Sequence, residues 1–238
     1  MILNKINNAI TAVYDEITKL SNNNENWQKY SEQDFIREAA ICICSSQMRY
    51  EVAVAAGNKI ANLNSIKNGD FYLSERCIND IKTAFIEPLN VCIDLKQRTI
   101  YPRFKNRIVH NLVQTFKTFR ENDLTFKSIL IKSVNGKQAR KKLTESVTGF
   151  GPKQASLFLR GIGYCSDLAI IDTHILDYLR LVRGITPKIS TLSTFPIYEQ
   201  IDNEFIQIAN DFQYKVGNFD LAIWITMRVA KKESFVWE

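Results

Sequence analysis

The chain has 238 residues, 45% of them hydrophobic and 24% charged, which is the composition of an ordinary soluble globular protein with a sizeable core. No stretch approaches the ~20 apolar residues that span a bilayer, and the first residues lack the apolar segment of a signal peptide, so we expect a cytoplasmic protein with no membrane partner. The net charge of +6 and the pI near 9.0 favour an acidic partner, of which nucleic acid is one candidate.

Helical periodicity dominates the chain from its first residues. Apolar residues at helical spacing run from Ile6 to Leu20. Ser31 to Asp34 resembles a capping box that opens a helix through Ile43. Further helical patterns cover residues 49–63, 74–86, 104–120, 124–133, 137–148, 153–162, 173–183, 198–212 and 218–231.

The sequence predicts an all-α fold, because it has no sustained alternation of apolar and polar residues bounded by hairpin turn signals. The stretches without a helical pattern are short enough for a compact body, and they cover residues 21–30, 64–72, 87–102 and 184–194. There is no internal repeat and no low-complexity segment. We therefore expect residues 1–238 to form a single domain of two helical lobes.

The five cysteines are scattered through apolar surroundings, and an odd number suits reduced thiols in a cytosolic protein. Cys42 and Cys44 lie close together in a predicted helix, where side chains at their spacing diverge. Core thiols are therefore favoured over a pair of metal ligands. We expect no disulfide and no metal site.

The most informative segment runs from Val147 to Ser156, between two predicted helices. Gly149 and Gly151 flank one apolar residue, which allows positive φ values and a tight turn, and Pro152 suits the first turn of the next helix. The sequence therefore predicts a helix-hairpin-helix motif over residues 138–163. Amides at the start of the second helix would suit a phosphate group, although a plain turn between helices explains the same glycines.

A run of basic residues precedes this hairpin, and its members are Lys132, Lys137, Arg140, Lys141 and Lys142. Such a run supplies long-range attraction for a nucleic-acid backbone. From charge alone, a solvated helix face explains it equally well. Within the run, Lys141 and Lys142 are the candidates for phosphate contacts, together with the backbone of the two hairpin glycines.

Asp172 ends an apolar run over residues 168–171 and stands at the start of a helical pattern. As an isolated residue, Asp172 is fully explained as the N-cap of that helix. Its place in the chain after the hairpin and Lys153 gives it a second interpretation.

The hairpin that ends in Lys153 and the acid that follows an apolar run together resemble the helix-hairpin-helix/GPD superfamily of DNA glycosylases. Lys153 matches the catalytic lysine of the bifunctional glycosylase/lyase members, and Asp172 matches the catalytic aspartate. Within the superfamily the chain is most similar to the type-2 8-oxoguanine DNA glycosylases, from about Ser31 to Trp224. The stretches that carry this similarity are Lys153–Arg160, Ala169–Ile175, Glu38–Cys44, and Arg103–Phe104 with Arg107.

The chemistry of these two residues can be stated without the family. A lysine amine attacks the anomeric carbon of a deoxynucleotide, displaces the base and forms a Schiff base that permits strand cleavage. The amine must be neutral, which requires desolvation or nearby positive charge. An aspartate close by stabilises the positive charge that develops on the sugar. The alternative for Lys153 is an exposed lysine that contacts phosphate.

The resemblance assigns DNA contacts to three further residues. Arg103 and Phe104 resemble a duplex probe, in which an aromatic wedge fills the space left by the extruded nucleotide and the arginine reads the opposite strand. From periodicity alone, Phe104 is a core residue. The position of His174 matches one that touches the DNA backbone in relatives, and a structural histidine is the alternative.

Three more residues are candidates for a base pocket. Asp220 and Trp224 lie on a helix that resembles the one bordering the pocket in the family, where Trp224 would stack on a flipped base. A core tryptophan is the alternative. Gln47 is a candidate from its place alone.

The C-terminus departs from the type-2 pattern. Type-2 members end soon after the tryptophan in a lysine that helps recognise 8-oxoguanine, whereas this chain continues from Lys231 to Glu238. We therefore expect excision of 8-oxoguanine with a broader or shifted preference among modified purines.

The resemblance also implies partners and cofactors. Iron–sulfur relatives carry four closely spaced cysteines near the C-terminus, whereas the last cysteine here is Cys165, so we expect no iron–sulfur cluster and no other cofactor. The implied partner is double-stranded DNA that contains a damaged base or an abasic site. We expect a monomer that associates with the nucleoid.

Three other functions compete with a glycosylase/lyase. A noncatalytic helix-hairpin-helix protein would bind DNA without needing Lys153 or Asp172. A monofunctional glycosylase would use Asp172 to activate water, and Lys153 argues against it. A dinucleotide-binding enzyme is disfavoured because Gly161-Ile162-Gly163 lacks a third glycine and a preceding parallel-sheet pattern.

Overall fold

The computed structural model of the protein describes residues 2–20, 27–46, 48–67, 75–186 and 192–232. The helices within these ranges are α1 (Ile2–Leu20), α2 (Glu32–Ser45), α3 (Tyr50–Ala61), α4 (Asn64–Lys67), α5 (Glu75–Ala84), α6 (Lys105–Glu121), α7 (Phe126–Ile131), α8 (Gly136–Ser146), α9 (Pro152–Gly161), α10 (Thr173–Arg183), α11 (Phe195–Asp211) and α12 (Val216–Lys232). Two short strands, β1 (Leu89–Ile93) and β2 (Lys96–Ile100), pair antiparallel between α5 and α6. Apart from this hairpin, the prediction of an all-α protein is confirmed.

The chain divides into two compact units. Residues 1–25 and 151–238 form one, the split unit, and residues 26–150 form the other, the inserted unit. The division falls within the predicted hairpin, so α8 belongs to the inserted unit and α9 to the split unit. The two-lobed organisation is confirmed, while the assignment of the whole chain to one domain stays a prediction.

In the split unit, α1, α10 and α11 each pack against α12. The core between them is apolar and includes the fully buried Ile175, Phe205 and Phe219. From α1, Ile6 and Ile10 enter this core, as the apolar periodicity predicts. Helix α1 precedes the stretch that carries the family resemblance, yet its burial makes it an integral part of the split unit.

Polar bonds and ring stacking also attach α1 to the start of α12. The rings of Tyr14 and Tyr214 stack with their centroids 3.8 Å apart. The Tyr14 hydroxyl accepts a hydrogen bond from the backbone N–H of Lys215 at 2.9 Å, and the Tyr214 hydroxyl bonds to that of Thr11. Such directional bonds set the register of α1, which apolar packing alone leaves adjustable.

In the inserted unit, α2 packs closely along α3. A Cβ atom on Gly57 of α3 would lie 2.4 Å from a side-chain carbon of Ile41 on α2, so this approach requires glycine. The predicted capping box is present: the Ser31 N–H donates to Asp34 Oδ2 at 2.8 Å, and the Asp34 N–H donates to Ser31 Oγ at 3.3 Å. Glu32 in the same turn accepts hydrogen bonds from the first amides of α7.

The hairpin of β1 and β2 is the main element that the sequence did not predict. Its turn is made by Asp94 and Leu95, whose φ values are 51° and 61°, without the Asn-Gly or Asp-Gly pair that marks such turns. Alternate residues of β1 are buried, but every side chain of β2 except the half-buried Ile100 is exposed. The packing of β1 against α3 stabilises the hairpin, and local sequence does not reveal that contact.

Two cysteines of α2 test the prediction that they are core thiols. Cys42 and Cys44 are both buried on α2, as predicted for core thiols, and burial raises the pKa of the Cys44 thiol to about 12.

The stretch predicted as non-helical after residue 63 begins instead with the short helix α4. No helix in the described part of the chain is long and apolar enough to cross a membrane.

Candidate active site

Asp172 is the N-cap of α10. Its side-chain Oδ1 accepts hydrogen bonds from the backbone N–H groups of His174 at 2.8 Å and Ile175 at 3.1 Å. These donors lie at the positive end of the helix dipole, where a carboxylate is favoured. The side chain is half-buried, and its Oδ2 takes no part in the cap. Capping and a chemical role for Asp172 are therefore compatible.

Lys153 is the second residue of α9, in the turn that leaves the hairpin. Gly151 is the N-cap with an extended backbone (φ −101°, ψ −179°), and Pro152 is the first helical residue, as predicted. The Gly151 N–H donates to the side-chain Oε1 of Gln154 at 3.3 Å, which closes the first turn. The Lys153 side chain is half-buried. Lys153 and Asp172 thus lie in the same unit, each at the N-terminus of a helix.

Asp220 on α12 is almost completely buried, with 2% exposure. Its Oδ2 accepts a hydrogen bond from the backbone N–H of Ile170 and lies 3.2 Å from Nη1 of Arg160 on α9. Burial raises the pKa of the Asp220 carboxyl to about 6, against the opposing effects of Arg160 and the Ile170 N–H, and the charge of Asp172 adds to the rise. These bonds commit Asp220 to protein groups, and its predicted contact with a base stays a prediction.

Trp224 lies one helical turn after Asp220 on α12 and is half-buried. Its indole meets the His174 ring edge-on, with centroids 6.1 Å apart and planes at 87°. The guanidinium carbon of Arg228 lies 4.9 Å from the indole centroid in a cation–π contact. Because His174 follows the N-cap Asp172, these contacts bring Trp224 to the N-terminus of α10.

Two arginines contact these residues and were not assigned a role from the sequence. Arg160 pairs with Asp220, and Arg228 lies against Trp224. The available signal was helical spacing: Arg160 lies two turns after Lys153 on α9, and Arg228 lies one turn after Trp224 on α12. Spacing identifies residues that share a helix face, but it does not identify the partner of that face.

In the inserted unit, α6 holds the start of the hairpin. Gly149 has a φ of +92°, and a Cβ atom there would lie 2.3 Å from Nδ2 of Asn111. Glycine is therefore required by the turn and also by the close approach of α6. The N–H of Thr148 donates to Thr115 Oγ1 at 3.0 Å, so the predicted hairpin is attached to α6. Only Gly149 takes the positive φ that the sequence allowed for both glycines, because Gly151 is extended.

Arg103 and Phe104 precede α6, and both are exposed. Phe104 is the N-cap of α6 with left-handed backbone angles (φ 56°, ψ 28°) and is 57% exposed. A large apolar residue that combines a strained backbone conformation with an exposed side chain is unusual in a folded protein. The core alternative for Phe104 is therefore wrong, and its ring is available to a partner.

A small cavity of about 30 Å³ lies beside this pair in the inserted unit. Arg107, Asn111 and Gly149 contribute to its lining, together with Arg103 and Phe104. The cavity thus brings the hairpin glycine and the exposed pair to one place. Gln47, which the sequence suggested as a pocket residue, lies outside the described residues, and its role stays a prediction.

The basic residues that precede the hairpin differ in their exposure to solvent. Arg140 is completely buried, so it does not add to the surface charge that the basic run was expected to supply. Lys142 donates through Nζ to the backbone oxygen of Lys132 at the end of α7. Lys137 and Lys141 are exposed and lie one turn apart on α8, which leaves them as the exposed basic residues of that helix.

Within the described ranges, no three His, Cys, Asp or Glu side chains are grouped as a metal site. The N-termini of α9 and α10 instead carry a lysine, Lys153, and a capped carboxylate, Asp172. A lysine amine is the type of group that can attack a carbon, and a fixed carboxylate is the type that stabilises positive charge as it develops there.

Comparison with known proteins identifies the family of this chain. The family model described as 8-oxoguanine DNA glycosylase matches residues 17–214. A curated 8-oxoguanine DNA glycosylase/AP lyase from Saccharolobus solfataricus is 28% identical over 198 residues, which cover 82% of this chain and 82% of the relative. A curated protein of the same name from Methanocaldococcus jannaschii is 27% identical over 231 residues, covering 94% of this chain and 95% of the relative.

The fold agrees as well. The crystal structure of the Methanocaldococcus jannaschii 8-oxoguanine DNA glycosylase matches with a TM-score of 0.65 and 25% sequence identity, and the match covers 94% of this chain and 92% of that one. Since the family model spans most of the sequence, the chain belongs to the 8-oxoguanine DNA glycosylase family.

Proposed function

We propose that this chain is a bifunctional DNA glycosylase and abasic-site lyase that excises 8-oxoguanine through a Schiff base on Lys153. The observation that carries the proposal is the pair Lys153 and Asp172, each at a helix N-terminus of the split unit, in a member of this family. The relatives from Saccharolobus solfataricus and Methanocaldococcus jannaschii bear the name 8-oxoguanine DNA glycosylase/AP lyase. A single lysine nucleophile accounts for both activities.

The amine of Lys153 is the nucleophile of the excision step. Its nitrogen lone pair forms a bond to C1′ while the C1′–N9 bond breaks, and the base leaves with the bonding electrons and takes up a proton. Positive charge develops on the sugar, and the Asp172 carboxylate, held through Oδ1 by the helix cap, stabilises it. The attached nitrogen then loses a proton, and opening of the sugar ring with protonation of O4′ leaves a protonated Schiff base.

The Schiff base also accounts for strand cleavage. A protonated imine at C1′ makes the C2′ proton acidic, so removal of that proton and loss of the 3′-phosphate by β-elimination break the strand. Water then hydrolyses the imine and frees Lys153. This second step needs no base recognition, and a preformed abasic site therefore serves as a substrate too.

The half-buried Trp224 is proposed to stack on the extruded base. Its edge contact with His174 and the Arg228 guanidinium against its ring hold the indole in place, and stacking is a common way to recognise a flipped base.

Double-stranded DNA with a damaged base or an abasic site is the proposed partner. In the inserted unit, the exposed Phe104 would enter the duplex where a nucleotide is extruded, with Arg103 against the opposite strand. The hairpin amides and the exposed Lys141 would contact phosphates. One chain supplies all of these residues, so a monomer suffices, and binding to DNA would place it in the nucleoid.

The test is borohydride trapping on a duplex that contains 8-oxoguanine. Borohydride reduces the Schiff base to a stable covalent complex, which we expect from the parental protein and not from Lys153→Gln. Lys215→Gln is the matched control, because Lys215 is an exposed lysine of the same unit. It should trap at the parental rate.

Each other outcome of the trapping assay would indicate a different mechanism or function. Parental trapping by Lys153→Gln would assign the nucleophile to another residue. Base release without trapping would make the protein a monofunctional glycosylase that activates water. Binding without any base release would leave a noncatalytic DNA-binding protein.

A further inference from the structure

Between α9 and α10 the chain passes through a buried segment that leads to Asp172. Ala169, Ile170 and Ile171 are 0%, 6% and 1% exposed, and they belong to no helix or strand. Their backbone N–H groups therefore need partners other than the regular bonds of secondary structure, because a buried N–H without a partner destabilises the fold.

Side chains of α11 supply two of these partners. Asp202 Oδ1 accepts a hydrogen bond from the Ala169 N–H at 2.9 Å. The Tyr198 hydroxyl accepts from the Ile171 N–H at 2.9 Å and donates to the Ala169 carbonyl oxygen at 3.0 Å. Tyr198 and Asp202 are both 0% exposed and lie one turn apart on α11, so one helix holds both ends of the segment.

Asp220 of α12 supplies the third partner, at the middle residue. Its Oδ2 accepts from the Ile170 N–H and pairs with Arg160 of α9 at 3.2 Å. The Asp220 carboxylate therefore connects the segment that leads to Asp172 with α9, the helix whose second residue is Lys153. Three successive amides are thus bound by three buried side chains from two helices.

We propose that Tyr198, Asp202 and Asp220 form a buried clamp that positions Asp172 for base excision. This inference rests on the proposed function, because positioning matters only if Asp172 acts on the sugar. Stabilisation of a developing charge requires a carboxylate that is already in place, and a displacement of about 1 Å lowers a catalytic rate by roughly 10²-fold. The helix cap orients the Asp172 side chain, and the clamp fixes the backbone that carries it.

Tyr198→Phe tests the clamp because it removes one hydroxyl and keeps the ring. We expect the single-turnover rate of 8-oxoguanine excision to fall by about tenfold, with little change in the Kd for lesion DNA. Tyr14→Phe is the matched control, since the Tyr14 hydroxyl also accepts a backbone N–H at 2.9 Å in the split unit, from Lys215 at the contact between α1 and α12. The control should lower the Tm by a similar amount and leave excision unchanged.

A double-mutant cycle separates positioning from general stability. In an Asp172→Asn background, Tyr198→Phe should have no further effect on excision, because the group that it positions has lost its charge. The same tenfold loss in both backgrounds would overturn the clamp, and so would an equal loss in Tyr14→Phe. Parental excision by Asp172→Asn alone would overturn the proposed role of Asp172 and the clamp with it, whereas failure of the proposed function would appear separately as the absence of borohydride trapping on Lys153.

Asp202 provides a second test that does not depend on the folding of Tyr198→Phe. Asp202→Asn keeps an oxygen that can accept from the Ala169 N–H, whereas Asp202→Ala leaves that buried N–H without a partner. The clamp predicts near-parental excision by the asparagine variant and about a tenfold loss in the alanine variant. Equal excision rates in the two variants would contradict it.

Discussion

Arg160 and Asp220 form an ion pair that joins α9 to α12, with Nη1 and Oδ2 3.2 Å apart. The two side chains differ in environment: that of Asp220 is 2% exposed and that of Arg160 is 27% exposed, so the carboxylate loses far more hydration than the guanidinium. Burial therefore raises the pKa of Asp220 to about 6 despite the charged partner.

This raised pKa predicts how stability depends on pH. The folded state holds the Asp220 proton more tightly than the unfolded chain, whose carboxyl has the ordinary value of 3.8, so this contribution is fully present below about pH 4 and is lost as the pH rises through about 6. Relative to Asp220→Asn, the free energy of unfolding of the parental protein should fall by on the order of 2–3 kcal/mol across that window. Urea denaturation of both proteins from about pH 4 to 7 measures it, and a difference that stays constant would contradict the shift.

Asp172→Asn should separate helix capping from chemistry. Asparagine keeps an oxygen that accepts from the His174 and Ile175 N–H groups, so the Tm and the affinity for lesion DNA should change little. The lost charge should lower the single-turnover excision rate by roughly 100-fold or more. Asp167→Asn, which alters an exposed carboxylate of the same unit, serves as the control. Normal excision by Asp172→Asn would leave Asp172 as a simple helix cap.

Phe104→Ala should impair excision from duplex DNA. Without the ring, the gap left by an extruded nucleotide is empty. Extruding a nucleotide costs a few kcal/mol, and the ring offsets part of that cost, so its loss should lower the excision rate about tenfold. Cleavage at a preformed abasic site should fall less, because no base is extruded there. Leu95→Ala removes another exposed apolar side chain of the inserted unit, 99% exposed, and should excise normally. An equal loss in both variants would argue against a wedge.

Charge reversal on α8 tests the contact with phosphates. Lys141→Glu together with Lys142→Glu should flatten the slope of log K against log salt for undamaged duplex, by about one unit per lost contact. Lys141→Glu alone should account for most of the effect, because the Lys142 amine bonds to the Lys132 carbonyl oxygen. Fluorescence anisotropy over a range of salt concentrations measures the slope. An unchanged slope would place the DNA on another face of the protein.

Residues 235–238, which lie outside the described residues, are predicted to influence the preference among modified purines. Deleting them should change the ranking of modified purines more than cleavage at a preformed abasic site, where no base is recognised. Single-turnover rates on a panel of lesion duplexes give the ranking. Equal losses on both kinds of substrate, or none on either, would show that these residues do not contact the base.

The sequence by itself determined the features that form between residues within about one helical turn of each other. The capping box of Ser31 and Asp34, the hairpin turn at Gly149 and the cap at Asp172 all form between residues a few positions apart. Such bonds and backbone angles depend on neighbours in the chain, so residue type and spacing are enough to predict them. The places of Lys153 and Asp172 at the starts of two helices were predictable for the same reason.

Only the tertiary structure decided which side chains face solvent and which distant groups meet. Phe104 has the periodicity of a core residue and is exposed, whereas Arg140 belongs to a basic run and is buried. Tyr198 and Asp202 lie on a stripe that periodicity predicts to be apolar, yet they bind amides about thirty residues earlier in the chain. Periodicity shows that a helix face is covered, but the donors and acceptors that it meets depend on how the helices pack.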